Sequence, residues 1–280
     1  DAVLQRSDGA VVFVLNGESR VARRNGRLGV FRDGLVEAAE GLRDRPEGYL
    51  CVSTGAVYAR PAPFNYGEDA PVETVEDEAS EDVRTNYGAL KRLCERRVEA
   101  AFPGRSLALR LGLVCGPHDP TDRVTYWAAR AAAGGRMLAP GHPGDPIQVV
   151  DARDLAAFML LALERGHAGA LNATGRTFTW RDWLTVFMAA GGRTDTEFAW
   201  VDDRDFLEKH APKPQPRGGA LPLFFPASWG PWWTANSDRA QALGLRYRPL
   251  SETAADLLAW HAAREGHAWD AGLSRAQERA

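Results

Sequence analysis

Two rhythms alternate along this chain: short apolar runs closed by glycine or hydroxyl side chains, and longer stretches where apolar residues recur every three or four positions. The first reads as buried strands and the second as helices. Residues 10–15 form an apolar run that ends at Asn16-Gly17, a strand and its turn. Residues 34–42 carry helical spacing and run toward the turn residues Pro46 and Gly48. From Leu50 the chain is again strand-like, ending in Ser53, Thr54 and Gly55. After Tyr87 the positions Leu90, Leu93, Cys94 and Val98 mark one helix face, which stops before Pro103-Gly104. Residues 106–111 and 147–150 read as further strands, and Asp151 and Thr179 as caps of the helices that follow them.

Between these elements lie turn-rich connections. Residues 59–86 are rich in proline and acidic side chains, which predicts a surface loop, either a solvated connection or a lid. Residues 211–233 are rich in Pro, Gly and aromatics and predict an irregular segment pinned by its tryptophans. A last helix runs through Trp260, and the tail beyond His267 is expected to fray. Strands alternating with helices predict an α/β chain built on a parallel sheet.

Composition narrows the picture. At 280 residues with net charge -3, the chain can bury a large core and carries no general attraction for nucleic acid or acidic membrane. The three cysteines, Cys51, Cys94 and Cys115, have no metal-ligand spacing and sit in apolar contexts, as expected for buried reduced thiols of a cytoplasmic protein. No run has the roughly 18 apolar residues of a membrane span.

The candidate chemistry lies between Thr54 and Lys91. Tyr87 and Lys91 are four residues apart on a helix and so share a face. With only three lysines in the chain, Lys91, Lys209 and Lys213, that spacing is an infrequent accident. A phenol is a poor base near neutrality, but a fixed cation beside it favours the phenolate. Thr54, or Ser53 beside it, could then hold a substrate oxygen while Tyr87 takes or gives its proton. The plainer reading is a packed tyrosine with a solvated lysine one turn on.

Residues 52–58, then Tyr87-Gly88-Ala89-Leu90-Lys91, then residues 109–117 resemble the extended short-chain dehydrogenase/reductases, and within them the NAD-dependent epimerase/dehydratase family. The likeness runs from about residue 35 to about residue 262. It implies a Rossmann-like parallel sheet over residues 1–118 and 144–175, with residues 169–175 as its returning strand. It also implies a smaller substrate domain over residues 119–143 and 176–280. Carried over by position, Thr54 is the catalytic hydroxyl, Tyr87 the acid/base, and Lys91 the residue that holds the nicotinamide ribose. The implied cofactor is NAD or NADP, touched also near Leu113 and Gly17. The implied substrate is a sugar nucleotide or another alcohol or carbonyl compound, and a homodimer is left open.

The amino end departs from that pattern. No strand leading into Gly-x-x-Gly-x-x-Gly, whose amides would receive the cofactor pyrophosphate, occurs in residues 1–50. The strand ending at Gly17 lies about where the family has its fourth strand. The expectation is therefore a sheet lacking its first three strands and binding cofactor weakly or not at all. A shifted reading frame over residues 1–32, with the arginine-rich stretch 20–32, is the competing explanation.

Past the strand at 106–111, His118, Arg123 and Tyr126 form a polar and aromatic cluster suited to a sugar-like substrate, and Gln148 could face the same ligand. His118 could equally cap a helix or bond the backbone. A reading of another class is a non-catalytic protein on the same scaffold, binding RNA or protein after loss of the cofactor loop. The mild negative charge and the retained Thr54, Tyr87 and Lys91 weigh against it.

Overall fold

The structure is a computed structural model that describes residues 2–5, 11–14, 48–80, 82–210, 220–225, 227–231, 233–264, 266 and 271–279. The chain divides into two compact units. The first comprises Asp1–Gly112, Asp154–Thr174 and Gly230–Arg246; the second comprises Leu113–Arg153, Gly175–Trp229 and Tyr247–Ala280.

The first unit is built on three parallel strands, β3 (Tyr49–Thr54), β4 (Ser106–Leu111) and β9 (Gly169–Ala173), in the order β3-β4-β9. The alternation of strand and helix predicted this parallel α/β arrangement. Register places Ser53 opposite Arg110 and Arg110 opposite Asn172, so three polar side chains meet on one face. Helix α1 (Val83–Ala101) covers the sheet, with Cys94 and Val98 packed on Tyr49, Cys51 and Phe102. It begins four residues earlier than the apolar spacing suggests, because the Asp82 carboxylate accepts the Thr85 N–H at 3.1 Å. The turn at Asn86 is non-helical (φ -108°, ψ 21°), so regular helix resumes at Tyr87.

The proline-rich stretch after Tyr58 is more than a solvated connection. It folds back on the end of β3, where Glu73 N–H donates to Val57 O at 2.8 Å, and buries Ala62 and Tyr66 against Tyr58. Residues 233–237 bind along β9: Thr174 Oγ1 donates to Ala235 O and Asn172 Nδ2 to Asn236 O. At the amino end, β1 (Ala2–Gln5) and β2 (Val11–Val14) form an antiparallel pair with Ala2 opposite Val14. The strand expected at 10–15 is thus present, but its described partner is β1, which the apolar pattern did not reveal. The helix expected over 34–42, the stretch 20–32 and Gly17 lie outside the described residues, as do residues 211–219.

The second unit packs α2 (Arg123–Ala132), α4 (Trp180–Ala190) and α7 (Leu250–Ala262) around an aromatic series; α5 (Arg204–His210) also belongs to it, and α6 (Asp238–Ala242) to the first unit. Trp127, Trp180, Trp183 and Phe187 follow one another edge to face at 5.0 to 5.3 Å. Thr179 caps α4 as expected, its hydroxyl accepting the Asp182 N–H at 3.0 Å. The strand read at 147–150 is two strands serving different partners. β7 (Pro146–Gln148) pairs antiparallel with β10 (Thr177–Thr179), and β8 (Val150–Asp151) pairs parallel with β5 (Val114–Cys115). The switch falls at Val149, whose carbonyl lies against Gly175 so closely that a side chain there would collide with it. β6 (Arg136–Pro140) and β11 (Glu197–Val201), a parallel pair, were not expected from the sequence.

Helix α3 (Ala152–Glu164) follows β8, and Asp151 Oδ1 accepts the Arg153 N–H at 2.9 Å, the expected cap. The tail beyond residue 270 is ordered rather than frayed over 271–279. Its short helix α8 (Arg275–Arg279) sets Glu278 on Arg130, with both oxygens within 3.0 Å of Nε, and on the Leu138 N–H at 2.9 Å. That buried ion pair, together with the burial of Ala271 and the packing of Gly272 on the Tyr126 ring, explains the difference. The three cysteines are buried and form no disulfide. Among the described residues no helix is long and apolar enough to cross a membrane.

Candidate functional site

The site of the first unit is assembled from the carboxyl end of β3 and the start of the regular part of α1. Glycine at position 88 is what lets them approach. A Cβ there would collide with the Ala56 carbonyl oxygen, so the helix backbone rests directly on the turn after Thr54. One turn on, Lys91 is 6% exposed and donates from Nζ to Val52 O at 2.7 Å. The ammonium has three hydrogens, and this bond uses one. Its charge also reaches Cys51, whose thiol burial pushes up to about 12 against the pull of Lys91.

Thr54 is partly exposed, and its hydroxyl oxygen accepts the Ala56 N–H at 3.2 Å. An accepting hydroxyl keeps its own hydrogen to donate elsewhere. Tyr87 is also partly exposed and stands four residues before Lys91 on the regular helix, one residue from the Gly88 contact. Ser53 points to the other face of β3. It is buried, and its hydroxyl donates to Glu95 Oε1 at 2.6 Å.

Glu95 and Arg110 did not stand out in the sequence. Arg110 gives Glu95 two bonds, Nε to Oε1 at 3.0 Å and Nη2 to Oε2 at 2.8 Å, and Arg92 adds a third at 2.8 Å. Burial alone would raise the Glu95 carboxyl, but the Arg110 guanidinium, Ser53 and Arg92 together hold it below the ordinary range. Arg110 also donates to the Tyr58 hydroxyl at 2.9 Å, and Tyr58 donates to Asn172 Oδ1 at 2.6 Å. The one sequence signal for this network is a carboxylate four residues after Lys91, hence on its face.

The other predicted contacts belong to the second unit and stand in separate surroundings. Leu113 O accepts the Val150 N–H at 2.9 Å. His118 is exposed, holds φ 70°, and its ring lies 5.7 Å from that of Trp260. Arg123 Nε donates to Thr121 Oγ1 at 3.0 Å, and Thr121 in turn is bound to the Asp119 carboxylate. Tyr126 is 5% exposed, under Gly272, where a side chain would strike its ring. Gln148 is buried and gives its amide to Thr177 Oγ1 at 2.9 Å, across the β7–β10 pair. Gly17, the remaining expected contact, lies outside the described residues.

Similar folds occur among solved structures. dTDP-4-dehydrorhamnose reductase from Yersinia enterocolitica superposes with a TM-score of 0.58 at 18% identity, over 88% of this chain and 79% of that one. The Clostridium acetobutylicum dTDP-4-dehydrorhamnose reductase gives 0.56 at 16% identity, over 82% and 71%. UDP-glucuronic acid 4-epimerase from Bacillus cereus, solved in complex with NAD, gives 0.55 at 16% identity, over 85% and 67%. At these identities the likeness establishes the Rossmann-like fold. No curated protein matches the sequence. Residues 11–174 match the NAD dependent epimerase/dehydratase family, a stretch that contains β3, α1, β4 and β9 with Thr54, Tyr87 and Lys91; the chain belongs to that family.

Proposed function

We propose that the protein is an NAD(P)-dependent oxidoreductase, epimerase or dehydratase acting on a sugar nucleotide, with Thr54, Tyr87 and Lys91 as its catalytic residues. The observation that carries this reading is the bond from Lys91 Nζ to Val52 O. It holds a cation at the end of the strand that bears Thr54, on the helix face that bears Tyr87. The Thr54 hydroxyl, turned by the Ala56 N–H, donates to the substrate oxygen, and Tyr87 takes or gives the proton at that oxygen. The remaining hydrogens of Lys91 suit the hydroxyls of a nicotinamide ribose. Bound NAD(P) supplies the acceptor or donor of hydride at the carbon carrying that oxygen.

Lys91 is proposed to serve the nicotinamide side, and Leu113 to meet it through its backbone. The sequence has no glycine-rich phosphate loop, so cofactor affinity is expected to be weak. Of the expected substrate contacts, the exposed His118 and the partly exposed Arg123 are retained in this proposal, whereas Tyr126 and Gln148 are buried among their own neighbours. The reductases and the epimerase of the same fold support a nucleotide-sugar substrate.

The test is turnover of UDP- and dTDP-sugars at saturating cofactor, for the wild-type protein, Tyr87→Phe and Thr54→Ala. Tyr87→Phe should lower kcat by about 10²–10⁴-fold without changing the thermal midpoint. Full activity in Tyr87→Phe would overturn the assignment. Absence of any turnover, with salt-dependent retention of RNA on a filter, would favour the non-catalytic reading.

A further inference from the structure

Three features of the first unit converge on the strand end that carries Thr54. Gly88 rests on the carbonyl of Ala56, Lys91 holds the carbonyl of Val52, and Glu95 holds the hydroxyl of Ser53. Residues 87, 91 and 95 are one helical turn apart and share a face, so the helix grips the strand over two successive turns. Of these grips, the one at Glu95 is the most elaborate. Its carboxylate accepts four bonds, from Ser53, Arg92 and twice from Arg110, and its side chain is 1% exposed. Glu95 is therefore buried away from any ligand.

We propose that Glu95, locked by Arg110, is a positioning residue that sets where Thr54 stands relative to Tyr87. The inference rests on the catalytic reading of those two residues. Its physical basis is register. Ser53 lies opposite Arg110 in the sheet, and both reach the same carboxylate, so Glu95 ties the helix to two strands at once. A helix held only by apolar contacts can slide or rotate by a fraction of an ångström at small cost. A carboxylate bonded in this way to two fixed partners cannot, since each bond weakens steeply with misalignment.

The experiment uses protein labelled with 3-fluorotyrosine, the Tyr87 resonance being assigned through Tyr87→Phe, together with kcat and KM on a nucleotide sugar. Two variants are compared. Ser53→Ala removes the bond to the strand and leaves the ion pair. The double variant E95M/R110M replaces both charges by unbranched apolar side chains, so that neither partner of the ion pair is left as an unpaired buried charge. In folded protein, both variants should shift or broaden the Tyr87 fluorine resonance while that of Tyr126 is unchanged. Both should lower kcat by about tenfold or more with KM within about twofold. A Tyr87 resonance and a kcat equal to wild type in either folded variant overturn the inference. Should the double variant fail to fold, Ser53→Ala decides alone. A wild-type protein with no turnover would overturn the proposed function only, because the fluorine resonance still reports whether Glu95 sets the surroundings of Tyr87.

Discussion

The backbone of Gly88 lies directly against the carbonyl of Ala56, leaving no room for a side chain between helix α1 and the turn after β3. Gly88→Ala should therefore push the helix outward at the point where Tyr87 leaves it. We expect a loss of about 1–3 kcal/mol, the usual cost of overpacking, and a kcat lowered more than the fall in stability explains. Chemical denaturation and turnover on the same sample check this. An alanine variant as stable and active as wild type would refute the close approach.

Lys91 is nearly buried with its ammonium on Val52 O. Lys91→Met keeps the length of the side chain and removes charge and donors. Stability should fall by about 1.5–3 kcal/mol, the range for one bond to a charged group, while turnover falls by about 10²-fold or more. Comparable losses in Lys91→Arg would indicate that the geometry of the ammonium matters as well as its charge.

The depressed carboxyl of Glu95 makes stability depend on acidity. A folded-state value below the unfolded one means that the unfolded chain binds the proton first, so stability is intact above the unfolded value and is lost as pH falls through the folded one. Urea unfolding should show the wild-type protein weakening as pH drops below about 4.3. Glu95→Gln, starting lower, should weaken less over the same interval; identical slopes would mean that another carboxylate governs the transition.

Removing the α8 anchor tests the ordered tail. Arg130 and Glu278 are 5% and 6% exposed in their side chains, so Glu278→Ala leaves a buried guanidinium without its carboxylate. The expected cost is about 3–5 kcal/mol, seen as a lower thermal midpoint and earlier proteolysis of the second unit. Replacing both residues by methionine should recover most of it.

Calorimetric titration of this 280-residue chain with NAD should give a dissociation constant weaker than micromolar, because its sequence offers no glycine-rich cradle for the pyrophosphate. Micromolar binding would require a different phosphate site.

What was legible in the sequence was local. Spacing of four along a helix set Tyr87 and Lys91 on one face, an apolar run marked the strand that ends at Thr54, and short-range bonds at Asp151 and Thr179 started the helices after them. Such features depend on neighbours a few residues away, so they survive without tertiary contacts. The partner of Lys91 is 39 residues off, the distant partners of Glu95 15 and 42, and the buried partner of Glu278 148. The single apolar run at 147–150 likewise gave no sign that it would split between two strand partners. Long-range pairing is decided by which backbone and charged groups burial leaves in need of partners, and only the folded chain determines that.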